Sequence, residues 1–152
     1  MKVVIQRVLR GCVTVEEQVV GQIGKGIAVL VGICRDDTED DVEYIIRKLL
    51  NVRMWSNEDG SKHWCRNVRE VDGGILLVSQ FTLMHVMKGS KPDFHHAMAP
   101  QQALAMFNTL RDRLRAEYTA DKVATGAFQH YMHINQVNDG PVTFVLDSRR
   151  KE

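Results

Sequence analysis

The spacing of apolar and polar residues predicts most of the elements. Residues 3–8 alternate and are β-branched, the pattern of a strand. Val13-Thr14-Val15 and Val19-Val20 flank the polar Glu16-Glu17-Gln18, which predicts a hairpin. Gly24-Lys25-Gly26 is a turn, and Ile27 to Ile33 is an apolar run typical of a strand buried on both faces. A helix follows. Thr38 and Asp41 form a capping box with Asp in place of the usual Glu. Asp36, Asp37, Glu39 and Asp40 crowd its positive end, and Arg47 and Lys48 its negative end. Val42, Ile45, Ile46 and Leu49 make one apolar stripe.

Val52 to Trp55 reads as a short strand, and Asp59-Gly60 as a hairpin turn within the polar stretch Ser56 to Lys62. Gly74 to Ser79 is a second buried strand. Residues 84–99 lack a period and predict a long loop. Pro100 suits the first turn of a second helix, with Ala103, Phe107, Leu110 and Leu114 as its stripe. Phe128 to Val137 and Val142 to Leu146 read as two closing strands joined by Asn138-Asp139-Gly140-Pro141. Residues 146–152, with Arg149-Arg150-Lys151, read as a frayed basic tail. The fold class expected is α/β: a mostly antiparallel curved sheet or open barrel, two main helices packed outside, one domain over residues 1–152.

A chain of 152 residues buries enough surface for one real core. Its formal net charge of +1 supplies no broad field for nucleic acid, so any such contact must be local. Cys12, Cys34 and Cys65 are widely spaced and match no metal pattern. Read as reduced thiols, they suit a cytoplasmic protein. The N-terminal apolar run is charged again at Arg7, too short for a signal peptide. No stretch approaches a membrane span, so no membrane association is expected.

Two segments are candidates for chemistry. Ser79-Gln80-Phe81-Thr82-Leu83 ends a buried strand and opens a loop, where active groups are often carried. Its side chains offer polar contacts and its amides a place for a developing oxyanion. Satisfying local backbone groups is the plainer role for its Ser and Thr. Asn138-Asp139-Gly140-Pro141 is by itself a turn, and the base rate of about 5–6% for cis X-Pro favours trans there. The histidines His85, His95, His96, His130 and His133 read as loop and surface imidazoles. His130 and His133 would face opposite sides of a strand, so no metal site is expected.

Taken together, the two segments resemble the D-aminoacyl-tRNA deacylase family of the bacterial and eukaryotic type. That family carries Ser-Gln-Phe-Thr-Leu and, near its C-terminus, Asn-x-Gly-Pro-Val-Thr. Val4-Ile5-Gln6-Arg7-Val8, Ile23-Gly24-Lys25-Gly26, Lys88-Gly89-Ser90-Lys91-Pro92-Asp93-Phe94 and Thr125-Gly126-Ala127-Phe128 with Met132 extend the likeness in order along nearly the whole chain.

The resemblance implies a cofactor-free hydrolase that removes D-amino acids, and sometimes glycine, from the 3′ end of tRNA. It implies a homodimer with active sites at the interface. Gly140 and Pro141, joined by a cis bond, would enter the partner's site as a chiral filter, with Asn138, Val142, Thr143 and Met132 around the substrate and Arg7 as a brace. Phe81 would offer its amide to the oxyanion, Gln80 would help position the ester or the adenosine, and Ser79 is a further catalytic candidate of the same segment. Thr82 is assigned to binding, because no base is evidently placed to activate it. Lys88 and Lys91 are candidates for tRNA phosphate contacts. After Phe128 the family usually has Gly-Ala where this chain has Gln129-His130, which changes the expected pocket. The alternative is a non-catalytic DNA- or RNA-binding protein of the same fold. Relatives with such roles carry an added C-terminal tail, and this sequence runs only a few residues past its last expected strand.

Overall fold

The computed structural model describes residues 1–151. The strands are β1 (Lys2–Val15), β2 (Gln18–Ile23), β3 (Gly26–Gly32), β4 (Gly74–Ser79), β5 (Val86–Lys88), β6 (Lys91–Asp93), β7 (Val123–Thr125) and β8 (His133–Asp147). The helices are α1 (Glu39–Asn51) and α2 (Pro100–Glu117), with 3-10 turns at Phe81–Met84 and Ala120–Lys122.

β1 is the hub. It pairs antiparallel with β2, β3 and β8. β3, β4 and β7 then continue the sheet in parallel, with the helices supplying the crossovers. The β1–β2 turn places Glu16 and Glu17 at positive φ, as a two-residue hairpin turn requires. The sheet curls until β2 meets β7. A Cβ added at Gly21 would stand 2.1 Å from the Thr125 carbonyl oxygen, so only a glycine lets the two backbones touch. The result is a nearly closed, mixed barrel with both helices outside it, as expected from the pattern.

The core lies between sheet and helices. α1 buries Val42, Tyr44, Ile45, Ile46, Leu49 and Leu50, and α2 buries Ala103, Phe107, Leu110 and Leu114. Both pack into one cluster with Ile5, Ile27, Val29, Ile75 and Leu77. The expected cap is present: Thr38 N–H donates to the Asp41 carboxylate at 2.8 Å.

Four expectations are corrected, and one strand went unread. Val52–Trp55 is not a strand; only Trp55 bridges, to Arg66, and Met54 and Trp55 are buried in the core without a ladder. Residues 84–99 are not a bare loop: β5 and β6 form a hairpin around Gly89 at φ +64°, closed by a Lys88–Asp93 ion pair at 2.7 Å. β7 went unread because three residues are too few to show a period. Residues 128–132 are not extended, since Gln129 turns the chain at φ +63°. Asn138–Pro141 does not join two strands either, because β8 is one strand that pairs along the whole of β1.

The expected tail is also ordered at its start. Leu146 and Asp147 complete β8, and Ser148 is buried. The Met1 ammonium explains this. It is ion-paired to buried Asp37 at 2.6 Å and donates to Ser148 Oγ at 2.7 Å. A buried charge needs such partners, so Asp37 serves a pair and not merely the helix dipole. Glu152 lies outside the described residues. No helix among the described residues is long and apolar enough to cross a membrane.

Candidate active site

β4 is an unbroken apolar run, and its last residue, Ser79, is where the chain leaves the sheet. Gln80 N–H still donates to the Val31 carbonyl at 2.8 Å, and the chain then tightens into the Phe81–Met84 turn. Gly32 makes room for that turn. A Cβ there would stand 2.7 Å from Leu83 Cβ and 3.2 Å from the Gln80 carbonyl oxygen. The Leu83 and His85 amides are used within the turn, donating to Gln80 and Thr82 carbonyls. Among the described residues, the Phe81 amide has no protein acceptor.

Beside this turn lies a cavity of ≈ 760 Å³. Ser79, Gln80 and Phe81 form one wall. Ile33, Met98 and Ala103 line it from the core side, and Phe128 to Met132 close it opposite. Phe81 is 57% exposed and packs edge-on against Phe94, with ring centroids 5.0 Å apart. Gln80 Nε2 donates to Thr82 Oγ1 at 2.5 Å, which turns the amide toward its own turn. The cavity is mainly apolar with a few polar groups, from Ser79 and Gln80 on one wall and Gln129 and His130 on the other, the usual make-up of a small-ligand site.

The second segment lies elsewhere. Between the pairs Gln6–Thr143 and Val8–Asn138, Arg7 on β1 faces four residues of β8, Asp139 to Val142. The bulge holds the expected cis Gly140–Pro141 bond, with Gly140 at φ +139°. Arg7 fills the gap. Its Nε donates to the Asp139 carbonyl at 2.9 Å and stands 3.3 Å from that residue's carboxylate, and its Nη1 donates to the Met54 carbonyl. Asn138, Gly140, Pro141 and Thr143 are exposed, and Val142 is half-buried. None of these, nor Arg7, lines the cavity of its own chain.

Of the residues singled out, Ser79, Gln80, Phe81 and Met132 meet at the cavity. Thr82 sits behind Gln80. Lys88 is held by Asp93, while Lys91 is exposed on the hairpin without an ion pair among the described residues. Asp93 was not singled out as a site residue. Hydrogen bonds from Lys88 and then His95 hold its carboxyl well below the usual range. Phe94 and Phe128, which belong to the matching segments but were given no role, also line the cavity, as do Met98 and Tyr131, which carried no sequence signal of their own. His130 and Gln129 do line it, so the unusual pair after Phe128 bears on the pocket's shape.

The fold and cavity define a small barrel protein with its site at a strand end, and comparison with known proteins gives the class. A family model described as D-Tyr-tRNA(Tyr) deacylase matches residues 4–147. The chain is 70% identical over 151 residues to D-aminoacyl-tRNA deacylase 1 of Leishmania major, covering 99% of each. It is 46% identical to D-aminoacyl-tRNA deacylase 1 of Homo sapiens over 97% of this chain and 70% of that one. A solved structure described as c-Myc DNA Unwinding Element Binding Protein is similar at a TM-score of 0.93 and 46% identity, covering 97% and 98% of the two chains. A second, described as a probable eukaryotic D-amino acid tRNA deacylase, has a TM-score of 0.83 at 18% identity over 95% and 97%, a likeness of fold. The chain belongs to the D-Tyr-tRNA(Tyr) deacylase family.

Proposed function

We propose that this protein hydrolyses the 3′-terminal ester of D-aminoacyl-tRNA, with glycyl-tRNA as a further substrate, and refuses the L-aminoacyl substrate. One observation carries the reading: the Ser79-Gln80-Phe81 strand end, with the Phe81 amide unpaired, opens into a cavity of ≈ 760 Å³. The Phe81 amide holds the oxyanion that forms as water attacks the ester carbonyl. A fixed donor of this kind costs no reorganisation at the moment of reaction. Gln80 orients the ester, and Ser79 and Met132 bound the pocket. The ribose 2′-hydroxyl of the substrate assists the attacking water, and Thr82 acts in binding.

Chiral refusal is assigned to Gly140 and Pro141 of a second copy. Both are exposed and outside their own chain's cavity, which fits delivery to a partner in a homodimer. A backbone wall near the α-carbon rejects an L side chain by steric conflict, and substituting a side chain does not loosen it. Arg7 holds that wall in place, and Asn138, Val142 and Thr143 form its flanks. Lys88 and Lys91 contact substrate phosphates. The protein works in the cytoplasm, where its free cysteines stay reduced. The non-catalytic DNA-binding reading is set aside, although one similar structure carries a DNA-binding name, because the matching family model and the relatives at 70% and 46% identity are described as deacylases.

Incubating purified protein with D- and L-tyrosyl-tRNA and following ester loss tests this directly. Rapid loss of the D ester alone is expected. Equal rates on both, or none on either, overturn the reading.

A further inference from the structure

Near the middle of α1, Tyr44 gathers three cations. Arg47 Cζ stands 5.8 Å from its ring centroid, Lys48 Nζ 5.5 Å and Lys151 Nζ 5.3 Å. The ring itself is only 6% exposed. Arg47 and Lys48 belong to the last turns of α1, where the helix dipole favours positive charge. The dipole does not account for Lys151, which arrives from beyond the end of β8 and converges on the same point. Among the described residues none of the three side chains makes an ion pair. Surface cation–π contacts of about 0.5–1 kcal/mol each are comparable with the screened repulsion of the three like charges, so an anion bound among them would relieve that repulsion.

The position fits a substrate that reaches past the cavity. Ile33 lines the cavity, and α1 begins a few residues later. The approach to α1 is tied to the cavity wall, since Cys34 bridges to Ala97 and Arg35 N–H donates to the His96 carbonyl at 2.8 Å. Tyr44, Arg47 and Lys48 lie further along α1, on the helix that this wall leads into. With a formal net charge of only +1, a local cluster of this kind is where such a chain would grip phosphates.

We propose that Arg47, Lys48 and Lys151 form a phosphodiester-binding surface for the tRNA body, outside the catalytic cavity. The proposal rests on reading tRNA as the substrate. Contacts to the backbone alone would hold many tRNAs without choosing among them.

Binding of deacylated tRNA, measured against salt concentration, tests it without any need for hydrolysis. Arg47→Gln/Lys48→Gln/Lys151→Gln should weaken binding about tenfold or more at low salt and flatten the slope of log affinity against log salt by roughly 2. The charge-keeping variant Arg47→Lys/Lys48→Arg/Lys151→Arg should bind like the parent. If the charge-removing variant fails to fold, Lys151→Gln alone, at an exposed position, should flatten the slope by about 0.7. Unchanged affinity and slope in a folded charge-removing variant overturn the proposal, as does a parent that binds no tRNA. A parent that binds with this salt dependence yet hydrolyses neither ester sinks the deacylase reading and leaves the surface standing.

Discussion

Arg7 on β1 donates from Nε to the Asp139 carbonyl at 2.9 Å, spanning 132 residues of sequence to hold the one bulge of β8 that carries Gly140 and Pro141. Its other arm reaches the Met54 carbonyl, so one guanidinium joins the sheet, the bulge and the loop after α1. Lysine offers a single ammonium in place of this rigid fork. Arg7→Lys is therefore expected to lower stability by about 1–3 kcal/mol, the cost of weakened charged hydrogen bonds in a part-buried site. Its deacylation rate should fall by roughly 10²-fold through misplacement of the bulge. Urea unfolding and D-tyrosyl-tRNA turnover check both numbers. A variant as active and as stable as the parent removes Arg7 from its bracing role.

Thr82 offers its hydroxyl oxygen to Gln80 Nε2, and among the described residues no imidazole or amine hydrogen-bonds to that hydroxyl. A nucleophile without a base is a poor one. Thr82→Ala should cost about one ordinary hydrogen bond, near 1 kcal/mol, and so less than about tenfold in rate. Complete loss of turnover, with folding and tRNA binding intact, would falsify the assignment to binding.

The parallel β3–β4 pair depends on two facing glycines. A Cβ at Gly26 would stand 1.9 Å from the Gly74 carbonyl oxygen, and neither backbone can retreat within the sheet. Gly26→Ala should destabilise by about 3 kcal/mol, as overpacking in a rigid interior does. For a chain of this size that lowers the melting temperature by roughly 6–12 °C. Gly24→Ala, where an added Cβ meets nothing within 4 Å, is the matched control and should melt like the parent.

Acid should loosen the junction between the chain's first residue and its last strand. Burial pushes the Asp41 carboxyl up, but the hydrogen bonds from Ser148 and Thr38 and the charges of the amino terminus and Arg149 outweigh it, leaving its pKa below 3.8. A depressed carboxyl stabilises the fold above its unfolded value and loses that contribution as pH falls through the folded value. Urea midpoints of the parent should therefore drop below pH 3.8 more steeply than those of Asp41→Asn. Parallel profiles for the two proteins would remove Asp41 from the account.

Much of the fold was legible because it follows from local rules. The stripe of α2, Ala103 to Leu114, appears as a period of 3.6 in the sequence and as a buried face in the structure. The apolar runs of β3 and β4 are buried as read. The site was legible only in part. Ser79-Gln80-Phe81 stood out as a polar strand end and does line the cavity, whereas Met98 and Tyr131 come to it from segments with no pattern of their own.

Sequence alone determined the two helices and the buried strands β3 and β4, because burial imposes a period or an unbroken apolar run that any reader of the chain can count. Tertiary structure decided the rest. It made β8 a single strand and Asn138–Pro141 a bulge in it, because β1 offered fourteen residues of backbone to pair with and the unmatched residues had to leave the ladder. It set Arg7 in that bulge and Asp37 against the Met1 ammonium, since charges drawn from water must find partners and those partners lie far away along the chain.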